Sequence, residues 1–70
     1  MNKEVHEFLA DMELFYNRWS RISFANDNQW SQVMQEGKEL IQYYESKMGK
    51  FSESIVNSFI AFLVEESKRR

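Results

Sequence analysis

His6 is the one side chain in this sequence whose ordinary chemistry covers metal ligation and proton transfer near neutral pH. A single histidine cannot supply a multi-histidine metal site. The Glu-x-x-His ligand pair of di-metal helical bundles needs an acid at position 3, where Lys3 stands instead. No nucleophile is spaced to use His6 as a base, and His6 falls off the apolar stripe of its own segment, so a solvated surface histidine is expected. Glu7 with Asp11, and Glu36 with Glu39, could each set two carboxylates on one helix face. General acid–base chemistry can use such pairs, but charged helix surfaces carry them routinely.

The remaining catalytic signatures are missing by residue type. There is no cysteine, hence no thiolate metal site and no disulfide framework, which favours a reducing compartment and a cytoplasmic location. Gly37 and Gly49 stand apart without the neighbours of a phosphate-binding loop, and no serine lies in a Gly-x-Ser-x-Gly turn. The expectation is a protein that is not an enzyme and needs no metal or cofactor.

Nucleic-acid binding is the alternative that calls on specific residues. Arg18-Trp19-Ser20-Arg21 interleaves charge with an aromatic ring, and the sequence ends Lys68-Arg69-Arg70. These cations sit near expected helix C-termini, where they complement the helix dipole without any ligand. The formal net charge of −2 also disfavours a general phosphate-binding surface. Met48-Gly49-Lys50-Phe51-Ser52-Glu53-Ser54-Ile55 has the glycine placement of a helix-turn-helix turn. The segment that follows it is nearly all apolar where base and phosphate contacts must be exposed. If nucleic acid is bound, a dimer using Arg18, Arg21, Lys68, Arg69 and Arg70 is the expected form.

The elements that must position these side chains follow from hydrophobic spacing. Seventy residues allow one small domain, and eleven aromatics, 16% of the chain, supply large buried areas to so short a sequence. There is no proline and no sustained polar–apolar alternation, so an all-α fold is expected. In the first helix, expected over about 2–22, Val5, Phe8, Leu9, Met12, Phe15, Tyr16, Trp19 and Ile22 fall on an arc of about 140°. The second, about 28–48, carries Trp30, Val33, Met34, Leu40, Ile41, Tyr44 and Met48 on an arc of about 120°, with Gly37 inside the stripe. Gly49 reads as a C-terminal cap and Ser52 as the next N-cap, so a third helix is expected over about 53–68. The longest apolar run, 55–64, is about half the ~20 residues that span a bilayer, and the first residues lack the pattern of a secretory leader.

Short connections make these helices an up-down-up bundle. The stripes align if Phe8 meets Ile41 and Leu9 meets Leu40 between the first two helices. Tyr44 then meets Phe59, and Leu40 meets Leu63, between the second and third. This register leaves two deficits. The third helix carries apolar residues over about 200°, with Ile60 and Val64 in surplus. The tip of the first hairpin, with Phe15, Tyr16, Trp19, Trp30, Val33 and Met34, lacks a third helix over it. A symmetric homodimer that places each third helix on the other chain's tip would satisfy both. The competing arrangement folds the 23–28 segment back so that Ile22 and Phe24 cover the tryptophans. The expected function is a small intracellular protein–protein interaction module, an adaptor, inhibitor or regulator that self-associates or takes a heterologous protein partner.

Overall fold

The computed structural model describes residues 2–69 and contains three helices, α1 (Lys3–Trp19), α2 (Asp27–Met48) and α3 (Lys50–Arg69), in an up-down-up bundle about 36 by 19 by 16 Å. Each boundary has a local cause. Asn2 caps α1 by accepting a hydrogen bond from the Glu4 amide at 2.7 Å, and Asn26 caps α2 by accepting from the Gln29 amide at 3.0 Å. Gly49 ends α2 at φ 60°, ψ −143°, a backbone conformation that glycine adopts without a Cβ clash, while its amide donates to the Glu45 carbonyl at 2.8 Å.

α3 starts at Lys50, one residue after α2 ends, and not at position 53. Ser52 is therefore no N-cap. It lies fully buried in the first turn, its hydroxyl donating to the Gly49 carbonyl at 3.0 Å. The one-residue break sets the register of the whole molecule. Gly37 lies against Val56 and Ile60, where the expected pairing put Tyr44 on Phe59 and Leu40 on Leu63. This moves α3 toward the hairpin tip by about 9 Å at 1.5 Å per residue. α1 is displaced the opposite way, away from the tip. Phe8 packs edge-on against Tyr44, ring centroids 4.9 Å apart, instead of meeting Ile41.

Those shifts remove the two expected deficits. Phe15, Trp19 and Val33 are buried within the single chain together with Phe8, Met12, Tyr44, Val56 and Leu63. Ile60, expected as surplus, is only 8% exposed because it fills the space left by the missing side chain of Gly37. α1 itself stops at Trp19 rather than at 22, and residues 20–26 take over its place beside the ends of α2 and α3. Ile22 is buried there, and the Trp30 indole N–H reaches the carbonyls of Ser23 and Phe24, both at 3.1 Å. Phe24 stays half exposed, so the returning segment closes the tip through Ile22 and backbone carbonyls more than through the Phe24 ring.

Candidate functional site

Three surfaces gather the residues with chemical or binding potential, and each lies between a different pair of helices. Between α1 and α2, Asp11, Glu36, Glu39, Leu40 and Tyr43 line an open groove of about 290 Å³. Its carboxylates serve internal bonds. Asp11 accepts the hydroxyl hydrogen of Tyr44, and Glu36 accepts from Arg18 at 2.7 Å through one oxygen and from the Trp19 indole at 3.1 Å through the other. Glu39 accepts a long contact from Gln35 at 3.4 Å. Burial and the Asp11 carboxylate push the Tyr44 phenol well above the ordinary tyrosine range, which keeps it a neutral donor. His6 is exposed on α1. Among the described residues, no three His, Asp or Glu side chains are placed to hold a metal ion.

Two of the cations of the nucleic-acid alternative are held by other side chains. Arg18 is ion-paired with Glu36. The Lys68 ammonium lies 5.6 Å from the centroid of the Phe24 ring, a cation–π contact that holds it to the returning segment. Arg21 and Arg69 are exposed near the tip, and Arg70 lies outside the described residues.

At the tip between α2 and α3, Phe24, Ala25, Asp27, Trp30, Met34 and Val64 line a largely apolar groove of about 550 Å³. Of the side chains expected to form an interface, Trp30 and Val64 are half-buried here and Met34 is 54% exposed. Phe15, Trp19, Val33 and Ile60 belong to the core, which corrects their expected place on a surface.

The third surface, between α1 and α3, carries two exposed phenylalanines and was not foreseen apart from Tyr16. Phe51 and Phe62 are 48% and 49% exposed, and Leu9 beside them is 43% exposed. Ile55 and Phe59 fill the spaces between the two phenylalanines, so that 51, 55, 59 and 62 form a ridge along α3 at steps of four, four and three. Tyr16 ties α1 to this ridge. Its ring lies 6.4 Å from Phe59 and 6.2 Å from Phe62, and its hydroxyl donates to Glu66 at 3.0 Å. At the other end Phe51 reaches the Phe8 ring at 6.2 Å. The signal for this ridge was present in the 200° apolar arc of the third helix; the wrong register assigned the surplus to Ile60 and Val64.

No protein family, no curated protein and no solved structure matches this chain. Among the described residues no helix is long and apolar enough to cross a membrane.

Proposed function

We propose that this protein is a non-enzymatic protein–protein interaction module, an adaptor, inhibitor or regulator, and that it self-associates as a homodimer in a reducing, cytoplasmic setting. The observation that carries the reading is the open aromatic ridge of α3, flanked by Leu9 and Tyr16 of α1. Exposed single apolar residues are ordinary, but four at helical spacing beside two more make a continuous surface of the kind that protein interfaces cover. The carboxylates that might do chemistry are already engaged by Tyr44, Arg18 and Trp19, which supports binding over catalysis.

The test is sedimentation of the wild-type chain and of Phe62→Glu from low to high micromolar concentration. A dimer that weakens in Phe62→Glu while helicity by circular dichroism is kept supports the reading. A wild-type chain that stays monomeric throughout removes self-association. Salt-sensitive binding to a mixed nucleic-acid pool, lost in the double variant Arg21→Ala with Arg69→Ala, would replace the reading with the nucleic-acid one.

A further inference from the structure

The segment that closes the hairpin tip is held differently from the helices it joins. Residues 20–26 leave α1 at Trp19 and reach the cap of α2 at Asn26. Ile22 anchors them in the apolar interior at 4% exposure, whereas Arg21, Ser23, Phe24, Ala25 and Asn26 are all exposed. The bonds from the Ile22 amide to the Trp19 carbonyl and from the Asn26 amide to the Ser23 carbonyl, both 3.1 Å, are local. Two contacts reach across to the other helices. The Trp30 indole N–H of α2 donates to the Ser23 and Phe24 carbonyls, and the Lys68 ammonium of α3 lies over the Phe24 ring. Both contacts are at the surface, where water competes for the same groups.

From this anchoring we infer that residues 20–25 form a strap that opens as a unit while the three helices stay folded, and that its opening uncovers the apolar groove at the tip. The inference goes beyond the interaction-module reading and does not depend on what covers the α3 ridge. A segment with few buried apolar contacts and exposed hydrogen bonds opens at lower free energy than the domain as a whole. Asn26 stays with α2 as its cap, so the strap swings between that residue and the end of α1. The geometry fixes what opening does. Phe24 and Ala25 form one wall of the groove, opposite Trp30, Met34 and Val64. Ile22 belongs to the same core cluster as Trp19, and Trp30 packs against that cluster. Lifting the strap therefore removes a wall and joins the groove to the tip end of the core. Lys68 is the control point, because a cation–π contact is abolished by loss of the charge alone, with no buried side chain removed.

Native-state hydrogen exchange followed by NMR separates the strap from the fold. The Ile22 amide and the Trp30 indole N–H report the strap, and the Leu63 amide in the body of α3 reports global unfolding. Corrected for intrinsic rates, the two strap protons are expected to be equally protected, and about tenfold or more less protected than Leu63. Phe24→Leu and Lys68→Gln are each expected to lower strap protection several-fold and leave Leu63 unchanged. Lys68→Arg is expected to keep it, since a guanidinium also stacks on a ring. Combined, Phe24→Leu and Lys68→Gln should do no more than either alone, because both remove one contact. A general loss of cationic charge at the end of α3 would act whether or not the ring is present. Acrylamide quenching of tryptophan emission is expected to rise with the loss of strap protection. Protection of Ile22 equal to that of Leu63 in the wild-type chain would overturn the strap, since it would open only with the whole fold. Full additivity of Phe24→Leu and Lys68→Gln would overturn Lys68 as its control. Unchanged quenching in Lys68→Gln, despite lower strap protection, would overturn the uncovering of the groove.

Discussion

A β-carbon placed on Gly37 would stand 2.9 Å from Ile60 Cδ1 and 3.3 Å from Val56 Cγ1, so α2 and α3 approach through the absence of a side chain. This contact decides that Ile60 is core and that the apolar surface left on α3 is the opposite flank. The neighbours differ in how far they can yield. Ile60 Cδ1 is the free end of a side chain, whereas Val56 Cγ1 is held by a β-branched side chain with one strongly preferred helical rotamer.

Gly37→Ala sets a helix-propensity gain of about 1 kcal/mol against an overpacking cost of about 1 to 3 kcal/mol. The expected net result is a loss of roughly 1 kcal/mol, read from the urea midpoint. Ile60→Val removes the atom at 2.9 Å, at its own cost of about 0.5 to 1.5 kcal/mol. In that background Gly37→Ala is expected to be neutral or stabilising. An equal loss in both backgrounds would locate the obstruction at Val56.

Glu36 holds the end of α1 through two donors of unequal worth. Arg18 has a side chain 59% exposed, so Arg18→Ala is expected to cost less than about 1 kcal/mol, and less again at high salt. The Trp19 indole is nearly buried and has its N–H on the same carboxylate. Glu36→Ala is therefore expected to cost about 1 to 2 kcal/mol and to shift tryptophan emission, while Glu36→Gln, which keeps an oxygen for the indole, recovers most of the loss. Equal effects of Glu36→Ala and Arg18→Ala in urea titrations would show that the indole bond contributes nothing.

The hydrophobic spacing sufficed for three helices, for Gly49 as the stop of α2, and for the outward placement of His6. It was insufficient for the register, because stripes of large apolar residues align at several offsets one turn apart. The deciding facts were two short-range ones. Gly49 turns the chain in a single residue, and Asn26 rather than Asn28 begins α2 as its cap. Both shift the levels at which side chains meet. The tip residues Phe15, Trp19 and Val33 thereby became core, and Phe51 and Phe62 became the aromatic surface. The carboxylate arrangement was equally hidden. Asp11 of α1 joins Glu36 and Glu39 of α2 in one groove because the two helices pack in the observed register.

Tyr44 gives the fold a specific sensitivity to alkali. Its ring is buried against Phe8, and its hydroxyl donates to the Asp11 carboxylate, so ionisation would place a phenolate beside a carboxylate. Its folded-state pKa is raised, whereas the unfolded chain releases the same proton near pH 10. The folded state therefore binds the proton more tightly, and this contribution is complete below about pH 10 and declines as pH rises above it. Tyr44→Phe keeps the ring and removes the proton. At neutral pH it is expected to be less stable by about 1 to 2 kcal/mol through the lost hydrogen bond to a charged acceptor. Above pH 10 the wild-type chain should lose stability more steeply than Tyr44→Phe, so that the gap between them narrows. Urea titrations of both chains from pH 7 to the alkaline range check this, and a gap that stays constant would show that Tyr44 ionises as easily folded as unfolded.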